Sequence, residues 1–311
     1  MDVGILLPPH FGLSWERWRH ILALTERLGF QSLVRSDHYF TQVQAASLEA
    51  YTSLALAARE TQRLRLGVMV TPVTFRQPLD VARMAAQIDL LSGGRFVLGL
   101  GAGWFAPEHE AYGLPYPSLR ERFDRLEEAL QLMRALWSEG PTDFNGRFYR
   151  LNGADCLPKP ARGRPPILIG GDGERRTLPL TAKYADEWNT VLPTLEMYAH
   201  KAAVLGKQCE AIGRDPGSIR RSVEILGVVE PSAPAVEELK RALSTLYAGS
   251  TPTADQTTAP GVFTSTDEVI DYAGRLADLG ADEVHFQHIL FHRDEVLEYL
   301  AADIAPKLAA L

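Results

Sequence analysis

The stretch that decides the fold is Leu64–Trp104, LRLGVMVTPVTFRQPLDVARMAAQIDLLSGGRFVLGLGAGW. Two β-rich runs, Leu64–Thr71 and Phe96–Gly101, flank a helical segment over about 78–92. Short strand-like runs recur along the whole chain: Val3–Leu7, Ser32–Ser36, Ile167–Gly170, Trp188–Val191, Ser222–Val229 and Glu283–Leu290 complete a set of eight. The segments between them have helical spacing. Trp15, Trp18, Ile21, Leu22, Leu24 and Leu28 recur at three- and four-residue steps before Gly29, and Phe123, Leu126, Leu130, Met133 and Trp137 do so before Gly140. A shorter run spans Leu178–Tyr184. Alternation of this kind predicts an α/β fold with a parallel sheet. Closure of eight units into a single (β/α)8 TIM barrel over 1–311 is the simplest topology, and an open doubly wound sheet is the alternative.

Two stretches break the alternation. Residues 140–165 are rich in Gly and Pro and predict an excursion, with a small hairpin around Asn145-Gly146. Residues 249–265 are small, polar and Pro-containing and predict a long loop before the last helical stretch.

Composition narrows the function classes. The 311 residues carry a formal charge of −7 with no basic block, which argues against a nucleic-acid partner. No apolar run approaches the roughly 18 residues of a membrane span. The start, MDVGILLPPH, reads as a first strand rather than an export signal. Cys156 and Cys209 stand in unlike contexts and read as free thiols, so the expected location is cytoplasmic.

In a barrel of this type the active site is built at the C-terminal ends of the strands. That rule selects Pro8-Pro9-His10, Asp37-His38, Val70–Thr74, Gly101–Trp104, Gly170–Arg176, Asn189 and His288. A strand-end histidine suits proton transfer or a hydrogen bond to a cofactor ring; a buried histidine satisfied by its neighbours is the ordinary alternative. Gly99-Leu100-Gly101-Ala102-Gly103-Trp104 lacks the dinucleotide-binding spacing, but its glycines allow a flat ring or a phosphate near the backbone. Gly170-Gly171-Asp172-Gly173-Glu174-Arg175-Arg176 runs from a strand toward a helix and is the best anion-site candidate, with helix N–H groups and two arginines to hand. Asp172 is expected to face away from the anion and to cap that helix. His285 and His288 fall on opposite faces of a strand, so no metal is expected, and no G-x-S-x-G elbow exists. Tyr39, Phe40, Trp104 and Phe105 suggest an apolar lining.

Taken together these segments resemble the luciferase-like monooxygenase superfamily. The likeness runs through Ser36–Phe40, Leu66–Pro72, Phe75–Pro78, Asp89–Phe96, Leu98–Trp104, Pro158–Pro160, Ile167–Gly173, Ala182–Asp186 and Gly213–Pro216. The wording is most similar to the branch that depends on the deazaflavin coenzyme F420. The resemblance implies hydride transfer between that cofactor and a small organic substrate. Sister branches use FMN as monooxygenases, often with a separate reductase, and some relatives are non-enzymatic flavin-binding barrels. Residue by residue, it implies that His38 and Asp37 lie beside the reactive ring. Met69 and Val70 lie under it, at a bulge with a non-prolyl cis peptide, and Gly101, Ala102 and Gly103 border it. The resemblance further implies that Gly170, Gly171, Asp172 and Gly173 hold the phosphate, with Arg175 or Arg176 near. Where the deazaflavin dehydrogenases have a proton-donating glutamate after the strand-four glycines, this chain has Trp104, and Glu108, His109 and Glu110 do not align to that place. A homodimer is implied through helices near 47–60 and 78–92, with Ala55, Leu56, Val81, Met84 and Ala85 as apolar surface.

Overall fold

The computed structural model describes residues 1–41, 45–228, 234–235, 237–239, 241–242, 262–263 and 265–311. Eight parallel strands close into a barrel: β1 Asp2–Leu7, β2 Ser32–Arg35, β3 Arg65–Pro72, β4 Phe96–Gly101, β5 Ile167–Gly170, β6 Glu187–Val191, β7 Arg220–Ile225 and β8 Glu283–Gln287. They follow chain order around the ring, and β8 pairs with β1 from Asp2↔Glu283 to Leu6↔Gln287. The open sheet is thereby excluded. The second expected strand ends one residue early, at Arg35, and the last two end well short of their expected bounds. The seventh ends at Ile225, after which Gly227–Val228 pairs with Val262–Phe263, and the eighth ends at Gln287. The expected excursion contains an antiparallel hairpin, Thr142–Asn145 with Arg150–Ala154. The expected loop over 249–265 lies outside the described residues except for 262–263 and 265.

The helices form where the apolar spacing put them. Helix α1, Trp15–Leu28, buries Trp18, Ile21, Leu22 and Leu24, while Trp15 at its first turn is 44% exposed. Ser14 starts it by accepting the Arg17 N–H at 3.1 Å, and Gly29 ends it in the left-handed region at φ 87°. Ser14→Ala is expected to cost about 1 kcal/mol, read as a lower urea midpoint with an unchanged slope. Helices α2 Ala50–Glu60 and α3 Pro78–Ser92 pack beside each other outside the barrel. Val81 and Ala85 of α3 are buried in the core and cannot supply dimer surface, a correction to the expected apolar patch. The exposed apolar side chains of that helix are Leu90 and Leu91.

Alternation along the strands sorts the barrel interior into layers. The lowest is ionic: Glu283 is fully buried and accepts from Arg65 and Arg220, each at 3.2 Å, and from the Ser32 hydroxyl. Arg65 also pairs with Glu187, and Arg220 with Asp2. Gly4 is required there, because a Cβ would sit 2.1 Å from Ser32 Oγ. Above lies an apolar layer of Leu6, Val34, Met69, Val97 and Leu168. The third layer is open.

Candidate active site

A cavity of about 590 Å³ occupies the C-terminal mouth of the barrel. Its floor is shaped by β3. The Met69–Val70 peptide is cis, and the register against β4 shifts between Val68 and Thr71. This bulge turns Val70 across the neighbouring strands. A Cβ on Gly99, Gly101 or Gly170 would come within 2.8–3.0 Å of the Val70 methyls. These glycines therefore make room for the bulge rather than for a ligand phosphate. Met69, Val70, Gly101 and Gly170 together leave a smooth apolar floor.

One wall carries histidines. His38, just past the end of β2, lines the cavity, and its Nδ1–H donates to Glu108 Oε1 at 2.8 Å. Glu108 is fully buried, and its other oxygen accepts the Tyr39 N–H at 3.1 Å. The ring is thus held in one orientation, with Nε2 left for the cavity. The Ser47 hydroxyl also donates to the His38 carbonyl at 2.8 Å. His10 stands next to His38, ring centres 5.3 Å apart. Burial first, then His38 and Arg35, push His10 down to about 3, so it is neutral at pH 7. Trp104 meets His38 edge-on at 5.6 Å and is 61% exposed at the rim.

Several predicted residues stand elsewhere. Asp37 does not line the cavity. Its carboxylate is buried behind the His38 loop, where it accepts from Arg76 at 2.6 and 3.2 Å and from the Thr71 hydroxyl at 2.7 Å. Only Gly170 and Gly171 of the glycine run reach the cavity; Asp172, Gly173 and Arg175 do not line it. Arg176 is engaged by Asp124 at 2.7 Å. The Gly171 N–H is spent on the Asn189 carbonyl at 2.9 Å, and its carbonyl accepts from the Trp188 indole at 2.8 Å. Gly171 has φ +107°, so any side chain there would strain the loop whether or not a phosphate binds beside it. The following helix, α6 Thr177–Tyr184, begins at Thr177 rather than Glu174, and no side chain caps it, Asp172 included. Thr177 itself faces the cavity. Of the four aromatics only Trp104 is in the lining; Tyr39 stacks on Phe75 at 4.7 Å and Phe40 meets Phe105 at 6.0 Å. His288 packs edge-on to Phe291 and points away from the cavity, while His285 points into the barrel. Among the described residues no three metal-ligating side chains come together.

Glu224, on β7, is the group that the sequence reading missed. It lines the cavity, and burial alone pushes its carboxyl up to about 7. The signal was present as a lone acid in the apolar run Val223–Val229, in phase with Ser222 and so facing inward. Linkage gives a stability prediction. Between pH 4.5 and 7 the unfolded chain ionises Glu224 while the folded one keeps it neutral, so stability falls as the pH rises through that window. Glu224→Gln is expected to remove the loss and to be more stable than wild type at pH 8, by at most about 3 kcal/mol, with little gain at pH 5. Thermal unfolding at the two pH values checks it; an equal shift at both would contradict the assignment.

The model of the luciferase-like monooxygenase family matches residues 1–295. The chain belongs to the luciferase-like monooxygenase family. Over 165 residues it is 38% identical to an F420-dependent glucose-6-phosphate dehydrogenase of Intrasporangium calvum, covering 51% of this chain and 48% of that protein. Over 178 residues it is 35% identical to the pyrimidine monooxygenase RutA of Escherichia coli, covering 55% and 46%. This luciferase-like chain thus spans about half the length of the curated relatives it matches. A solved structure of an F420-dependent secondary alcohol dehydrogenase, in complex with an F420-acetone adduct, superposes with a TM-score of 0.81. It shares 22% identity, over 99% of this chain and 98% of that one, and so speaks for the fold alone. Among the described residues of the luciferase-like barrel, no helix is long and apolar enough to cross a membrane.

Proposed function

We propose that this luciferase-like barrel, taken as one domain, is an oxidoreductase that moves a hydride between coenzyme F420 and a small organic substrate. The observation that carries the reading is the cavity itself: a smooth floor at Met69, Val70, Gly101 and Gly170 faces a fixed histidine. The residues fit a flat cofactor ring. The floor has no polar side chain to clash with it, and Gln287 Oε1 in the wall is buried without a partner among the described residues, open to a polar edge. Ala102 and Gly103 would border the ring, and Thr177 with the start of α6 would meet the phosphate. Arg176 would have to leave Asp124 to help.

When bound, the deazaflavin supplies hydride chemistry. The protein's part is to position, to exclude water and to handle protons. His38 offers Nε2 to the reacting centre, held by Glu108; Asp37 and Arg76 position the loop behind it. Trp104 closes the rim.

The match to a pyrimidine monooxygenase supports a second reading, an FMN-dependent monooxygenase served by a separate reductase. A non-enzymatic flavin-binding barrel is disfavoured by the retained His38–Glu108 pair. The proposal includes a homodimer through α2 and α3, with Leu90 and Leu91 at its centre, and a cytoplasmic location.

Parallel fluorescence titration of the purified protein with coenzyme F420 and FMN tests the function. Tighter capture of F420 is expected. Capture of FMN alone, with oxygen uptake once it is reduced, would overturn the main reading in favour of the second.

A further inference from the structure

If the deazaflavin reading above holds, a proton must accompany the hydride, and Trp104 offers no acid at the place where the family resemblance implies a glutamate. Glu224 lies on β7. In the ring order, β7 is four strands from β3 in either direction, so the carboxyl stands across the cavity from Met69–Val70. A planar ring held on that floor would leave the space between it and Glu224 for the substrate.

The surroundings of Glu224 do not explain it structurally. At its level β6 presents Val191 and β8 presents His285. Below it the Ser222 hydroxyl is engaged by Asn189 at 2.9 Å, and above it Leu226 continues the cavity wall. His285, the titratable group on β8, is driven down by burial and turned to Ser32 and Glu283. On β6 the acid facing inward is Glu187, two levels down and paired with Arg65. His10 and His38 face the cavity from the loops after β1 and β2. Among the described residues none of these, nor any other group, forms a hydrogen bond or an ion pair with the Glu224 carboxyl. An unpaired buried carboxyl costs stability that Leu would not, and such groups collect where chemistry needs them.

We propose that Glu224 is a proton donor of this cavity, distinct from His38, giving its proton to the oxygen of a carbonyl-class substrate. The substrate carbon accepts a hydride from the reduced deazaflavin, which is oxidised; the C=O π pair moves onto oxygen. That oxygen takes the Glu224 proton and becomes a hydroxyl. The carboxylate left behind is reprotonated from water, and the reverse sequence oxidises an alcohol. With its ionisation pushed up to about 7 by burial, Glu224 is shared between acid and carboxylate at neutral pH and can both give and take a proton. His10 cannot serve, being neutral there.

The test needs no native substrate. Infrared difference spectra of the cofactor-free protein should show a carboxylic C=O band that titrates near pH 7 and is missing in Glu224→Gln. Cyclohexanone, a bare carbonyl probe, should bind more weakly as the pH rises through 7, by about tenfold or more. In Glu224→Gln its affinity should be independent of pH, with F420 affinity unchanged. The proposal is overturned by the absence of the infrared band, or by the same cyclohexanone profile in wild type and variant. It is equally overturned if cyclohexylamine binds better than cyclohexanone at pH 7, which would make Glu224 an anionic amine site. Failure of F420 to bind the wild type undoes the cofactor reading instead, and leaves the infrared and cyclohexanone results to judge Glu224.

Discussion

Glu283→Ala is expected to destabilise the protein by roughly 3 kcal/mol or more, the largest loss of any single substitution discussed above. Breaking a buried ionic group typically costs about 3–5 kcal/mol, because its former partners are left without compensation. Here those partners are Arg65, Arg220, Ser32 and His285, all directed at one carboxylate on the barrel axis. The two arginines are about a third exposed and keep Glu187 and Asp2, which places the expected value at the low end of the range. Burial opposes the Glu283 charge, but His285, Arg65, Arg220 and the Ser32 hydroxyl outweigh it and hold the carboxyl below its ordinary value. His285 is itself driven down by burial, so the arginines supply the positive charge at neutral pH. The sign follows: a lowered carboxylate stabilises above its unfolded pKa, and that contribution is lost as the pH falls through the folded value. The variant should therefore differ from wild type most at pH 7 and least in acid. Urea unfolding at both pH values reads this, and a constant difference would show that the loss comes from packing alone.

His38→Ala is expected to lower turnover by about 10²–10⁴, with cofactor affinity changed by no more than a few-fold. The imidazole meets the reacting centre rather than the floor on which the ring would lie, so its loss belongs in kcat. Glu108→Gln makes the comparison specific. A glutamine oxygen can still accept the Nδ1–H but carries no charge to strengthen that hydrogen bond, so a loss of about tenfold is expected, well short of the alanine effect. Stopped-flow turnover beside equilibrium cofactor titration separates the two quantities. An equal fall in affinity and turnover for His38→Ala would assign the histidine to binding.

The closed barrel was legible in the chain because its causes are local and periodic. Each strand is a short β-rich run, and each helix carries its own apolar spacing and stop signal, as in Trp18–Leu24 before Gly29. The identity of the mouth followed from strand order, so His38, Val70 and Gly101–Trp104 could be named in advance; the family resemblance added Met69, and all of them line the cavity. Tertiary structure decided the rest, because pairings across the barrel leave no mark in spacing. Glu108 lies 70 residues from His38 and becomes its partner only when α4, Ala106–Ala111, folds against the loop after β2. Asp37, adjacent to His38 in sequence, points the opposite way to Arg76, since neighbours at a strand end diverge. The glycines of β4 and β5 looked like a ligand cradle and instead receive Val70, a side chain from another strand. For Glu224, the sequence set the inward phase; only closure of the ring put it opposite the β3 bulge, buried enough to push its ionisation up to about 7.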